Sequence, residues 1–244
     1  MLKSIILAAG KGTRMQTEGV ELPKVMRTAL GKPLLGYVLD ALPTKGRDNI
    51  VVVGFMREKV EAAFTDCAFA VQAEQKGTGH AVMCAFETLG DFDGDVLICC
   101  GDAPLVRPET FSALVEEHRA KGNDCTVLSG ASEVPLRGYG RVIRDEGGGF
   151  VKIVEEKDAS PEEFAVQEYN SGVYVFSAPK LRTALTGLRT NNAQGEYYLT
   201  DAPDIMLTRG DKVGVCVREM GDELIGVNTP AQLCEVERLL QERR

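Results

Sequence analysis

Five short, nearly unbroken apolar runs constrain this chain more than anything else in its sequence. They fall at residues 4–8, 50–53, 69–72, 96–100 and 125–128 and are rich in Val, Ile and Leu. A strand with one wet face alternates apolar and polar residues, whereas a strand covered on both faces reads as a continuous apolar run. Between the runs lie stretches 33–42, 57–64, 79–89 and 108–121, each suited to an amphipathic helix. Pro33 and Pro108 stand where a first helical turn tolerates proline. This alternation predicts an α/β fold: a Rossmann-like, mostly parallel sheet flanked by helices.

After Ser129 the rhythm changes. Residues 139–144 and 150–155, separated by Glu146-Gly147-Gly148-Gly149, predict a hairpin. A strand region is expected over 166–176, helices over 179–188 and 195–207, a strand over 212–217, and a closing charged helix over 230–242. The later part is therefore the more β-rich lobe. No linker or shift in composition divides the 244 residues, so one domain is expected across the whole length.

Bulk properties exclude several classes. The net charge of −8 disfavours nucleic acid, whose affinity comes largely from phosphate neutralisation. A small phosphorylated ligand needs only a local cluster of cations. Seven cysteines without a C-x-x-C spacing read as buried free thiols of a reduced protein, not as a redox or zinc centre. Nothing approaches the ~20 apolar residues of a membrane span. Residues 1–10 carry one Lys and a five-residue apolar run, too short for a signal peptide and better read as a first strand. The expectation is a cytoplasmic protein with no membrane partner.

The strongest local signal is Leu7-Ala8-Ala9-Gly10-Lys11-Gly12-Thr13-Arg14-Met15, followed by Leu22-Pro23-Lys24. It leaves a strand at its carboxyl end, where open α/β sheets bind ligands. Small residues let the backbone approach a phosphate chain, and successive N–H groups can form an anion nest. Lys11, Arg14 and Lys24 add cations. A Walker A loop is excluded because Gly12 follows Lys11, and a dinucleotide loop because Met15 stands where the third Gly is needed. A lone G-x-G would read as a tight turn with solvated basic residues. Arg14 and the Pro23-Lys24 step turn the balance to phosphate binding.

These residues carry a resemblance. Leu-x-x-Gly-x-Gly-Thr-Arg-Met with a Pro-Lys step is the signature of sugar-phosphate nucleotidyltransferases. From Ile5 to about Arg238 the chain resembles the N-terminal uridyltransferase domain of the bacterial bifunctional N-acetylglucosamine-1-phosphate uridyltransferase/glucosamine-1-phosphate acetyltransferase family. The resemblance implies a nucleotide-diphospho-sugar transferase fold, with residues 1–130 mainly the nucleotide-binding half and 131–244 mainly the sugar-binding half. It implies UTP and a sugar 1-phosphate as partners, Mg²⁺ as cofactor, and a role in cell-wall precursor synthesis. The hexapeptide-repeat acetyltransferase domain of that family has no counterpart in these 244 residues. The expectation is no acetyl-CoA chemistry and, because trimers of that family rest on the repeats, a monomer.

Leu7, Ala8, Ala9, Gly10, Gly12 and Thr13 are then the phosphate-loop candidates. Gln72-Ala73-Glu74-Gln75-Lys76-Gly77-Thr78-Gly79-His80-Ala81 matches the family's uracil-reading segment. Uracil presents acceptor, donor and acceptor along one edge, which an amide and a glycine-rich turn can complement. Cytosine would leave buried groups unpaired at a cost of ~1–3 kcal/mol each. Gln72, Gln75, Gly77 and Thr78 are the nucleoside candidates. Thr78 would also serve as a helix N-cap, and His80 is assigned no chemistry.

Asp102, closing the run Ile98-Cys99-Cys100-Gly101-Asp102, is the first candidate for magnesium, which favours few carboxylates plus phosphate oxygens and water. Read alone, Asp102 could simply open a turn before Pro104. Resemblance implies Asn228 as its partner; read alone, Asn228 or Thr229 is a helix cap. Resemblance also implies sugar contacts at Gly101, Gly140, Glu155 and Asn170. It further places Glu196, Tyr197 and Tyr198 as a wall beside the N-acetyl group, with Thr200 a lesser candidate. The chain departs from the family in a longer stretch between Met15 and Pro23, in Cys100 for an aromatic, and in Ser171 for a Thr.

The expected reaction is in-line attack of the sugar phosphate oxygen on the α-phosphorus of UTP with release of pyrophosphate. Arg14 and Lys24 would act catalytically by stabilising charge. Two competing readings remain at this point. One is a uridyl- or thymidylyltransferase for glucose 1-phosphate or another hexose 1-phosphate; the other is a non-catalytic nucleotide-sugar-binding module. Arg14→Ala is expected to reduce turnover severely with an unchanged circular dichroism spectrum; wild-type-like turnover in the folded variant would remove Arg14 from the mechanism.

Overall fold

The structure, a computed structural model, describes residues 1–15, 21–133 and 135–243. The strands are β1 (Leu2–Leu7), β2 (Thr28–Ala29), β3 (Lys32–Pro33), β4 (Asn49–Val53), β5 (Ala68–Val71), β6 (Asp95–Cys100), β7 (Cys125–Ala131), β8 (Arg141–Arg144), β9 (Phe150–Val154), β10 (Glu168–Ser177) and β11 (Val213–Arg218). The helices are α1 (Leu34–Ala41), α2 (Arg57–Ala63), α3 (Thr78–Leu89), α4 (Pro108–Lys121), α5 (Pro161–Phe164), α6 (Ala178–Leu185), α7 (Ala202–Thr208) and α8 (Pro230–Glu242).

All strands but β2 and β3 belong to one sheet, ordered β11-β7-β10-β6-β1-β4-β5, with the β8–β9 hairpin joined to β10. The β6–β1–β4–β5 segment is parallel, and so is the β7–β11 pair; β10 runs antiparallel between β6 and β7. The fold is thus the mostly parallel α/β sheet flanked by helices that the apolar runs predict. Both faces are dry, which is why the strands read as unbroken runs. Ile5, Ile50, Val52, Val96, Ile98, Tyr174 and Phe176 face one core beneath α3, α6 and α7. Their neighbours Ile6, Val51, Val53, Leu97, Cys99, Val173 and Val175 face the other, beneath α1, α2 and α4. A third cluster, including Met15, Ala29, Leu34, Leu105 and Val236, seats α8.

Helix ends follow local chemistry. In α4, Pro108 opens the first turn, Glu109 lies near the positive end, and His118, Arg119 and Lys121 lie near the negative end. Gly122, at φ 59°, closes it in the left-handed conformation. Thr229 caps α8 by accepting from the Gln232 N–H at 3.2 Å. That resolves the choice of cap and leaves the Asn228 side chain for another task. In the β8–β9 turn, Asp145 Oδ1 accepts from the N–H groups of Gly147 and Gly149.

Three expectations are corrected. The helix expected over 195–207 exists only in its second half, as a short 3-10 turn at Leu199–Asp201 leading into α7. Gly195 is at φ 65°, and the Tyr197 N–H and C=O are committed to Lys76 O and the Gly79 N–H, so residues 195–198 cannot coil. Thr78 is not the cap of α3: Gly77 holds that position at φ 107°, and Thr78 is the first helical residue. The cysteines are all free, but only Cys67, Cys99, Cys125 and Cys216 are buried; Cys84 and Cys100 are partly open and Cys234 is exposed. Among the described residues no helix is long and apolar enough to cross a membrane.

Leu97 lies in β6 near the centre of the sheet and is fully buried. Leu97→Ala deletes its buried side chain and leaves a cavity, at a cost of about 3 kcal/mol, which at this chain length lowers the unfolding midpoint by roughly 6–12 °C. Thermal unfolding followed by circular dichroism measures it; a midpoint within a degree of wild type would contradict the packing described.

Candidate active site

The chain leaves β1 for α1, β4 and β5, then crosses back to place β6 on the other side of β1. Such a reversal opens a crevice at the carboxyl ends of the strands. Leu7 closes β1 and Cys100 closes β6, paired in register. Both line two adjoining cavities above the sheet.

The first cavity, about 240 Å³, is lined by Leu7, Ala8, Ala9, Gly10, Lys24, Gln72, Gln75, Gly77, Thr78 and Asp102, and also by Glu196. The first ten are nucleotide, cation and metal candidates; Val25, Ala81 and Cys100, which were not candidates, complete the lining. Its geometry depends on close approach. A Cβ on Gly77 would stand 2.5 Å from Tyr197 O, and one on Gly54 would stand 2.8 Å from Gln75 Nε2 and 2.9 Å from Ala9 O. Gly54 escaped notice in the sequence because nothing local marks it. Gln72 is buried, and its Nε2 donates to Gly77 O at 3.0 Å and meets His80 Nδ1 at 3.1 Å. The amide is therefore held in one orientation.

Gly12 and Thr13 stand outside this lining. Gly12, at φ 59°, instead packs on Lys24: a Cβ there would lie 2.6 Å from Lys24 Cβ. The Arg14 backbone falls in a 3-10 turn at Thr13–Met15. Its side chain, and the stretch 16–20 whose course the sequence left open, lie outside the described residues.

The second cavity, about 560 Å³, is lined by Gly140, Glu155, Asn170 and Thr200 among the sugar candidates, and by Asp102 and Asn228. The β10 register shifts between Asn170 and Tyr174. Asn170 is still paired with Ser129 of β7, and the irregularity falls just beyond it, as bulges do next to ligand sites. Asn170 Nδ2 donates to Tyr174 Oη at 2.7 Å, and Thr200 Oγ1 donates to Glu155 Oε1 at 3.0 Å. Gly101, Glu196, Tyr197 and Tyr198 do not line the second cavity; Glu196 lines the first instead. Gly101 packs against Val25 and Leu35, Tyr197 acts through its backbone, and the buried Tyr198 hydroxyl accepts from Gln194 Nε2.

Tyr139, within Gly138-Tyr139-Gly140-Arg141, lines the second cavity as well. Its hydroxyl donates to Leu224 O at 2.8 Å and accepts from the Gly226 N–H at 3.1 Å, clamping the turn that carries Asn228. A long-range clamp of this kind leaves no signal in local sequence.

The two cavities share Asp102, and there the charges meet. Lys24 Nζ donates to Asp102 Oδ2 and, at 2.9 Å, to Asn228 Oδ1. The Val227 N–H donates to Asp102 O at 2.9 Å, and the Asn228 N–H to Gln232 Oε1 at 2.8 Å. A carboxylate and an amide oxygen thus converge on one cationic group. Hard oxygen donors of this type fit magnesium, which takes most of its remaining ligands from phosphates and water. Among the described residues no three His, Cys, Asp or Glu side chains cluster as a metal group, so protein coordination would be limited to this sparse pair.

Glu155 lines the second cavity, which Arg137 also lines, with further carboxylates near Glu155. Burial pushes the Glu155 carboxyl above its ordinary range, against the Thr200 hydrogen bond, with Asp201, Asp158 and Glu196 adding like charge. Asp201, next to Thr200, is pushed up to about 6 by burial and by Asp204 and Asp158. Cys100, between the cavities, is pushed up to about 12 by burial and by Asp102, so its thiol stays protonated and inert at neutral pH.

Known proteins resemble this chain over nearly its whole length. The sequence model of the MobA-like NTP transferase domain matches residues 4–203. The bifunctional protein GlmU of Caldanaerobacter subterraneus subsp. tengcongensis is 50% identical over 244 residues, covering 99% of this chain and 52% of that protein. GlmU of Pelotomaculum thermopropionicum is 46% identical over 244 residues, with the same two coverages of 99% and 52%. GlmU of Corynebacterium aurimucosum is 45% identical over 249 residues, 98% of this chain and 50% of that protein. The chain spans about half the length of the curated relatives it matches.

The raised Asp201 makes stability depend on pH with a definite sign. Between the ordinary carboxylate value of 3.8 and about 6, the folded state holds a proton that the unfolded state has lost. Its contribution is complete below the lower value and disappears as pH rises through the upper one. Urea unfolding at pH 4, 5, 6 and 7 should show Asp201→Asn gaining stability relative to wild type across pH 4–6 and then levelling. A difference independent of pH would contradict the assignment.

Proposed function

The chain belongs to the MobA-like NTP transferase domain family, and from that premise we propose that it transfers UMP from UTP to N-acetylglucosamine 1-phosphate, giving UDP-N-acetylglucosamine and pyrophosphate. The observation that carries this reading is the convergence of Lys24, Asp102 and Asn228 where the two cavities join. A nucleotidyl transfer needs its reacting phosphorus at such a boundary, with the nucleoside on one side and the sugar on the other.

Each half of the cleft suits its substrate. The Ala8–Gly10 backbone follows the carboxyl end of β1 and offers close approach to a polyphosphate. The Gln72 amide nitrogen is engaged by Gly77 O and His80, which leaves its oxygen as the acceptor for a pyrimidine N3–H. Uracil has that donor and cytosine has not. On the other side, Glu155, Asn170 and Thr200 present the carboxylate, amide and hydroxyl groups that pair with sugar hydroxyls and an acetamido group. The GlmU name of the relatives supports the same pairing.

The phosphate oxygen of the sugar substrate is ionised at neutral pH and needs no side-chain base. It attacks the α-phosphorus in line; the new P–O bond forms as the α–β bridge breaks, and the electron pair leaves on pyrophosphate. Lys24 and Arg14 stabilise the charge on the phosphates, and the cavity walls hold the reactants in line. Asp102 and Asn228 would hold magnesium, which when bound supplies charge neutralisation and orientation of the polyphosphate. Localisation in the cytoplasm and action as a monomer belong to the same reading.

Pyrophosphate release measured in magnesium with UTP, CTP and dTTP, each against N-acetylglucosamine 1-phosphate and glucose 1-phosphate, tests it. The expected order places UTP with N-acetylglucosamine 1-phosphate first. CTP should fall about 10- to 100-fold lower in kcat/KM, the equivalent of one unpaired buried group. Binding of UDP-N-acetylglucosamine without pyrophosphate release from any pair would replace the enzyme with a binding module.

A further inference from the structure

Lys24 stands in the position that the proposed reaction reserves for a metal. Its ammonium donates to Asp102 Oδ2 and Asn228 Oδ1, the same two oxygens that suit magnesium. The Lys24 and Asp102 side chains are 18% and 15% exposed, so water screens the pair only in part. A divalent ion bound to those oxygens would lie against an ammonium, and like charges at that separation repel. The two cations cannot share the site.

The base of the Lys24 side chain is fixed. Gly12 packs directly on Lys24 Cβ, closely enough that no side chain fits at Gly12, and the Arg27 N–H donates to Lys24 O at 3.1 Å. The atoms beyond Cβ are a flexible stem with three rotatable bonds. Lys24 also lines the first cavity beside Ala8, Ala9 and Gly10. Its tip therefore has two destinations from one anchored root: the oxygens of Asp102 and Asn228, or a polyphosphate on the β1 loop.

We propose that Lys24 is an internal competitor for the metal site, and that a triphosphate opens the site by drawing the ammonium onto its own oxygens. Metal and nucleotide binding are then coupled through one side chain, and the coupling is reciprocal: whatever factor the nucleotide adds to metal affinity, the metal adds to nucleotide affinity. Affinity for metal in the absence of nucleotide is reduced by the fraction of molecules in which Lys24 has left the two oxygens. The same arrangement keeps Asp102 neutralised until a substrate is present. This inference rests on the nucleotidyltransferase reading for the identity of the triphosphate, but not for the competition itself.

The test is Mn²⁺ binding to the 244-residue chain without nucleotide, followed by electron paramagnetic resonance of the free ion. Lys24→Met, which keeps the apolar stem and removes the charge, should bind Mn²⁺ at least 10-fold more tightly than wild type, about 1.4 kcal/mol. Lys24→Arg should remain as weak as wild type, and Asp102→Asn should abolish binding at this site. Equal affinity of wild type and Lys24→Met for Mn²⁺ overturns the proposal. A second measurement needs no removal of the lysine charge: in protein labelled with ¹⁵N at lysine Nζ, addition of diamagnetic Mg²⁺ should shift the Lys24 resonance, and an unmoved resonance at saturating Mg²⁺ overturns it equally. UTP binding in EDTA is measured alongside. Failure of wild type to bind UTP would sink the functional reading, while the Mn²⁺ comparison would still decide the competition.

Discussion

The contact between Lys24, Asp102 and Asn228 is the constraint on which the rest of the molecule depends. The lysine lies 78 residues from one partner and 204 from the other, so no local structure brings them together. Three features do. The six-residue parallel register of β1 with β6 sets Leu7 beside Cys100 and so brings Lys24 and Asp102 above the same strand ends. The Val227 N–H bonded to Asp102 O, and the Tyr139 hydroxyl bonded to Leu224 and Gly226, bring the α8 approach to the same point. Thr229 caps α8, which leaves the neighbouring Asn228 oxygen to face the lysine. Each feature is ordinary; only their coincidence makes a site.

Much of the fold could be read from the chain because parallel strands buried on both faces leave an unmistakable trace. Runs such as 50–53 and 96–100 are apolar at every position because one set of alternate residues faces α3, α6 and α7 while the other faces α1, α2 and α4. Strand order left no such trace. The antiparallel insertion of β10 between β6 and β7 is decided by which edges meet, and hydropathy along one strand does not record its neighbours. Residues 195–198 failed for a related reason. Their composition suits a helix, but two backbone hydrogen bonds from Tyr197 to the turn at Lys76–Gly79 outweigh a helix propensity of tenths of a kcal/mol per residue. Thr78 shows the same contest: its hydroxyl accepts from the Leu199 N–H, while the φ of 107° demanded at the cap belongs to Gly77.

The candidate site was legible where chemistry clusters along the chain and obscure where it is assembled across it. The run from Leu7 to Gly10 and the segment from Gln72 to Thr78 each carry several lining residues within a few positions, so a family likeness could single them out. Gly54, Tyr139 and Gln232 line or support the same cleft singly. Gln232 sits in a helix that reads as merely amphipathic, and nothing short of the folded arrangement shows that its side chain accepts from the Asn228 N–H. Tyr198 erred in the opposite direction. It lies inside a distinctive stretch, yet its ring is buried and its hydroxyl is engaged with Gln194, so it shapes the wall from behind.

Charge is distributed unevenly along the cleft of this protein of net charge −8, and that distribution bears on the orientation of the substrates proposed for it. At the junction, Lys24 neutralises Asp102, so the phosphate end is not repelled by the carboxylate there. At the far end, Glu155 and Asp201 lie together with Asp158 close by. Their raised proton affinity is the thermodynamic sign of carboxylates that burial and like charge have made reluctant to ionise. A phosphate placed against Glu155 would add another negative charge beside these carboxylates, whereas neutral hydroxyls would supply donors to Glu155. In the proposed reaction a sugar phosphate therefore has one favourable orientation, hydroxyls toward Glu155 and phosphate toward Lys24, which is the orientation that in-line attack requires. In that reading Glu155 and Lys24 act together to set the orientation.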